Sequence, residues 1–219
     1  MRLASVSLAR YYGLVQIEDL NLGGTVYLPE VGAALVQRYG FLKYPTKPEE
    51  FDEGKGIEFL NGRLGRRVID KLMIIDSGVY LDTQIDTAAS EELWYELMDW
   101  AVKTFGVTFK REMVEHAAYV STVTFFSDAP MLKLNSIFDE IAAVVTSEVE
   151  GNFGRKLEYE PAVVSITYDQ LLTKFGTAAF TVQRREGVPF RDGKYFSTAP
   201  VKTDIHLELL EKWERAVSL

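Results

Sequence analysis

The stretch from Gly56 to Gly106 constrains this chain most, because it reads as two successive β-hairpins feeding one long amphipathic helix. Asn61-Gly62 sits between Ile57–Leu60 and Arg63-Leu64. Both residues tolerate positive φ, so this pair predicts a tight hairpin turn. Asp76-Ser77-Gly78 separates Val68–Ile75 from Val79–Ile85. A three-residue loop ending in Gly suits a type I turn closed by a bulge. That loop predicts Ile75 opposite Val79, Met73 opposite Leu81 and Ile69 opposite Ile85. One face is then apolar except for Lys71 and Thr83. The other carries Asp70, Tyr80, Asp82, Gln84 and Asp86.

A helix follows, with Asp86, Thr87 or Ser90 as its cap and Gly106 as its stop. At 100° per residue, Leu93, Trp94, Leu97, Met98, Ala101, Val102 and Phe105 fill half of the wheel. Glu92, Glu96, Asp99 and Lys103 lie opposite. Tyr95 and Trp100 flank the apolar half, which makes it wider than one sheet contact needs. A covering loop accounts for that width. So does a second chain, and Trp94, Tyr95 and Trp100 are therefore candidate partner contacts.

The 219 residues suit one large domain, and 47% are hydrophobic, enough for a packed core. The formal net charge of −8 argues against a general duplex-DNA coat. Cysteine is absent, which excludes disulfides, thiol nucleophiles and Cys-ligated metals. The first ten residues are too polar for a signal sequence, and no apolar run approaches the ~20 residues of a membrane span. A cytoplasmic protein is expected.

In chain order, Tyr11–Leu20 and Thr25–Leu28 read as strands. A helix opens near Pro29 and stops at Gly40. Residues 45–55, with two prolines and four acids, form the expected mobile loop. Ala117–Phe126 is a strand. Ser127 or Asp128 caps a helix running to about Val149, with Leu134, Phe138, Ile141, Ala142, Val145 and Val149 on one face and Asn135, Ser136, Asp139, Glu140, Thr146 and Ser147 on the other. Leu157–Tyr168 is an edge strand, Asp169–Gly176 a helical turn, and Ala178–Arg185 with Lys194–Ser197 an antiparallel pair. A helix from Thr203 or Asp204 to Val217 ends the chain. The hairpins predict a single α+β domain over 1–219. Its mostly antiparallel sheet carries about four helices, packed mainly on one face.

Chemistry-bearing residues are sparse. Asp82 and Asp86 lie about 13 Å apart along one strand, at about 3.3 Å per residue. They cannot share an ion, which leaves Asp70 with Asp82 as an alternative Mg²⁺ pair. His206 sits in the apolar arc of the last helix with Ile205, Leu209, Leu210, Trp213 and Val217. It reads as a core or partner-facing residue, and Trp213 joins it as a candidate contact. His116 and His206 make no zinc pattern. Two basic clusters, Arg63, Arg66, Arg67, Lys71 and Arg184, Arg185, Arg191, Lys194, are candidate anion sites, or guards of a sheet edge. No glycine-rich stretch has phosphate-loop or dinucleotide spacing. The expectation is a non-enzymatic binding or assembly protein, with another protein or a second copy as partner and no cofactor. A Mg²⁺-dependent enzyme on a phosphate-bearing substrate is the alternative, and an RNA-binding module comes third.

Overall fold

The computed structural model describes residues 1–24, 26–169, 171 and 176–218. Among the described residues are five α-helices and eight strands, and the registered pairs are antiparallel. The strands are β1 (Arg2–Leu14), β2 (Ile57–Leu64), β3 (Arg67–Ile75), β4 (Gly78–Thr83), β5 (His116–Phe126), β6 (Val163–Ile166), β7 (Phe180–Arg184) and β8 (Lys194–Ala199). The helices are α1 (Ile17–Leu20), α2 (Leu28–Tyr39), α3 (Thr87–Phe105), α4 (Ser136–Phe153) and α5 (Thr203–Val217). Hydrogen bonding links the strands in the order β2-β3-β4-β1-β5-β8-β7-β6. The α+β class and the antiparallel sheet are as expected. The residues group into two compact units: Val6–Ser121 with Pro200–Thr203, and Met1–Ser5 with Thr122–Ala199 and Asp204–Leu219.

In the larger unit, α3 forms as the sequence predicts. The Asp86 Oδ1 atom accepts from the Ala89 amide at 2.7 Å, and Gly106 closes the helix at φ 69°. Its apolar face packs on β1 and β4. Gly13 of β1 lies flat beneath the Trp94 ring, where a Cβ would come within 2.3 Å of the indole. The indole Nε1 donates to the Val79 carbonyl at 2.8 Å. Ser90 Oγ donates to the Ala9 carbonyl at 2.7 Å. Leu35, Phe59, Leu72, Leu81 and Leu93 fill the core around them.

Several expected boundaries move. The first turn is Gly65-Arg66, not Asn61-Gly62: β2 runs straight through to Leu64, which pairs with Arg67. Asn61 does take a left-handed φ of 57°, but the chain stays in the ladder because Gly62 lies under the Phe41 ring, where a Cβ would meet it at 2.5 Å. The β3–β4 loop holds two residues, so Ile75 faces Gly78 and Leu72 faces Leu81. Gly78 belongs to the strand, since β1 approaches so closely there that a Cβ would lie 2.2 Å from the Gly13 carbonyl oxygen. The first strand is Arg2–Leu14, and Ile17–Leu20 is a helical turn. Among described residues, Val26 and Tyr27 are not strand, and Leu28 already opens α2. Within residues 45–55 the Glu50 carboxylate accepts from the amides of Thr46 and Lys47.

In the smaller unit, β8 and β7 carry α5 through Ser197 and Phe180, which both meet His206. Trp213 stacks on Phe180 with ring centres 5.9 Å apart and donates to the Met131 carbonyl at 2.9 Å. The fourth helix starts at Ser136, not near Ser127. Asn135 caps it by accepting from the Ile137 amide at 3.0 Å, and Gly154 ends it at φ 63°. The expected turn at Asp169–Gly176 falls largely outside the described residues.

Candidate protein-interaction site

The sequence gathers Leu134, Phe138, Ile141, Ala142, Val145 and Val149 on one side of α4, and the structure leaves much of that side open. No α4 residue is buried. Ala142, Val145, Thr146 and Val149 form its half-covered side. There Thr146 Oγ1 donates to the Ala142 carbonyl at 2.8 Å and accepts from the Tyr159 amide at 3.0 Å. The neighbouring stripe is exposed: Ile137 at 47%, Phe138 at 54%, Ile141 at 53% and Val144 at 63%. With Leu134 just before the helix, Leu134, Ile137, Ile141 and Val144 follow a 3-4-3 spacing, the pattern of a helix-pairing seam. A groove of about 470 Å³ runs beside it, lined by Leu132, Leu134, Phe138, Ile141, Val163 and Val164. Val163 and Ile166 of β6, the last strand in the order, are also exposed.

The charge on the helix itself is one-sided, while Lys133 and Lys156 lie beside it. Between Ser136 and Phe153 the ionisable side chains are Asp139, Glu140, Glu148 and Glu150, with no Lys, Arg or His. On the adjoining segment Glu160 is bound by Arg184 at 2.6 Å, and Glu158 by Lys156 at 3.0 Å.

The expected partner contacts on α3 fare unevenly. Trp94 is fully buried under its hydrogen bond to Val79, so it is withdrawn as a contact. His206 is buried too, with Nε2 2.8 Å from Ser197 Oγ and its ring edge on Phe180. That burial pushes its pKa down to about 4. Tyr95, Trp100 and Trp213 are half-buried and engaged within their own units. Tyr95 lies against Trp94 and Phe109, and Trp100 against Tyr39 and Phe105.

In the alternative metal pair, Asp82 already has a cation. Asp82 is clamped by Arg10 through two bonds of 2.7 and 2.8 Å, while Tyr80 stacks under the guanidinium at 4.0 Å. Asp70 has its pKa raised by burial and by the nearby Asp82 charge, against a hydrogen bond from Gln84. Among described residues no group of three or more His, Asp or Glu could hold a metal ion.

The basic clusters are partly spent. Arg67 pairs with Glu92 and Lys71 with Glu58, whereas Arg63 and Arg66 form no ion pair among described residues. Arg184 is bound to Glu160 between the Phe190 and Tyr195 rings, and Arg191 lies 3.8 Å from Asp192. Arg185 and Lys194 have a different surrounding. Arg185 covers Phe196 at 5.2 Å, and Lys194 and Arg2 cover Phe126 at 5.2 and 4.4 Å. No sequence signal marks Arg2 as a member of this patch, because only strand pairing brings it beside Phe126.

Among described residues no helix is long and apolar enough to cross a membrane. No protein-family model matches the chain, and no curated protein does. Among solved structures, one described as Methanococcus jannaschii TBP is similar over 99% of this chain and 97% of that one. The identity is 15% and the TM-score 0.45.

Proposed function

We propose that this protein is a non-enzymatic binding or assembly subunit whose α4 seam and adjoining groove seat an amphipathic helix of another protein. The observation that carries the reading is the exposed Ile137–Ile141–Val144 stripe on a helix with no buried residue. An apolar seam left in water is costly, at roughly 25 cal/mol per Å². Contiguous exposed apolar patches mark interaction surfaces. The partner's chemistry follows from the flanks. Four carboxylates and no base on α4 suit a helix whose apolar residues are bordered by Lys or Arg. A second copy of α4 would set carboxylates against carboxylates.

The test is fluorescence anisotropy with a synthetic helical peptide of about three heptads carrying Leu at 3-4 spacing. Lys flanks one version and Glu the other. Saturable binding of the Lys version is expected, weakened about 30-fold by Ile141→Asp, the scale of a binding hot spot. Equal binding of the Glu version sinks the proposal. So does a dimer in light scattering that Ile141→Asp dissolves, which would make the occupant a second copy.

A second reading rests on Phe126 and Phe196 with Arg2, Arg185 and Lys194 over their rings. Aromatic rings and cations gathered on one sheet suit the bases and phosphates of a single strand. Labelled single-stranded DNA and RNA oligonucleotides at low salt test it. Binding lost in the Phe126→Ala, Phe196→Ala pair supports it, and no binding at low salt removes it.

A further inference from the structure

The larger unit contains an apolar cavity that the interaction surface does not use. Its volume is about 560 Å³, within the roughly 300–1,000 Å³ of small-molecule sites. The floor is core: Leu35, Ile74, Val79, Leu97 and Met98 are buried members of the main cluster. Leu22 and Tyr27 stay exposed at the rim. Phe51, Trp100 and Phe105 add aromatic surface.

The polar lining is equally selective. Glu18 and Glu53 are the ionisable acids of the lining, and no Lys, Arg or His is among the described lining residues. Asn21 is already committed: its side-chain amide donates to the Val26 carbonyl and accepts from the Val26 amide, each at 3.1 Å. The ionisable residues of the lining are thus all acidic, and the lining is rich in aromatic rings. Both favour a cation. A carboxylate or phosphate head would meet repulsion with no base to offset it.

We infer that this cavity binds a hydrophobic cation, an amine carrying an alkyl or aryl body, with the body among Leu35, Leu97 and Met98 and the ammonium near Glu18 and Glu53. The inference is independent of the α4 proposal, which concerns the other unit.

Calorimetric titration of the full chain with n-decylamine, n-decanol and decanoate tests it. Decylamine is expected to bind saturably at one site, decanol about ten-fold more weakly, and decanoate not at all. Glu53→Gln should erase the preference for decylamine over decanol. Ala101→Phe, which places a ring inside the cavity, should abolish binding of both. If that variant does not fold, Val107→Phe fills the same space from the segment after α3. Decanoate binding as tightly as decylamine overturns the inference, as does undiminished binding in the filled variants or no saturable binding of decylamine.

Discussion

Gly13 and Trp94 set the packing of the larger unit between them. A Cβ at position 13 would lie 2.3 Å from the indole, so even one methyl must displace the ring or the strand. The indole cannot yield freely, because its Nε1 is bonded to Val79 and its ring meets Tyr11, Tyr95 and Phe109. Gly13→Ala should therefore cost about 2 kcal/mol, within the range for overpacking, measured by urea denaturation. The helix wheel places Trp94 on the apolar side, but the wheel counts only local periodicity. That a glycine on a strand some eighty positions earlier would receive the ring is tertiary information. His206 gives a second prediction at this scale. Burial holds its pKa near 4, below the ordinary 6.5. The unfolded chain thus takes up a proton between those values that the folded chain refuses. The stability this residue contributes is complete above pH 6.5 and is lost as pH falls through about 4, at up to about 1.4 kcal/mol per pH unit. His206→Gln should flatten the loss between pH 6.5 and 4.5 relative to the unaltered chain. Parallel curves in urea titrations would show that another group governs the acid limb.

Helix ends are legible where a single side chain or glycine decides them, as at Asp86, Gly106 and Gly40. Strand register is not. Asp76-Ser77-Gly78 fits a two- or three-residue loop equally well, and the choice is made by β1, where Leu14 pairs with position 78 and the Gly13 carbonyl leaves no room there for a Cβ. The apolar period of α4 is also legible, but period alone does not say whether a core or a partner covers it. These elements differ in what substitution should do. Asp86→Ala removes the bond to the Ala89 amide and should cost about 1 kcal/mol. Leu93→Ala opens a cavity in the core and should cost about 2–5 kcal/mol. Ile141→Ser, although it removes a larger apolar side chain than many core variants, should stay within about 0.5 kcal/mol, because the residue is half exposed. Thermal and urea unfolding of the three variants separate the cases. A loss of several kcal/mol at Ile141 would mean that α4 is covered in the free protein.

At the scale of the chain, 32 acidic residues against 24 basic ones leave a field that attracts cations at a distance. That field adds to the local carboxylates of α4, and the two contributions separate by their response to salt. The Debye length is about 10 Å at 0.1 M ionic strength, so long-range attraction is largely screened there, while apolar contact in the seam is not. The association rate of the Lys-flanked peptide should fall roughly ten-fold between about 20 and 200 mM salt, with little change in its dissociation rate. Ile141→Asp should do the reverse, because it removes seam contact and adds one charge to a surface that already carries many. Its effect belongs mainly in the dissociation rate. Stopped-flow measurements across salt and variant therefore give a crossed pattern. If salt moved the dissociation rate instead, the bound state would be held by ion pairs, and the apolar seam would be incidental to recognition.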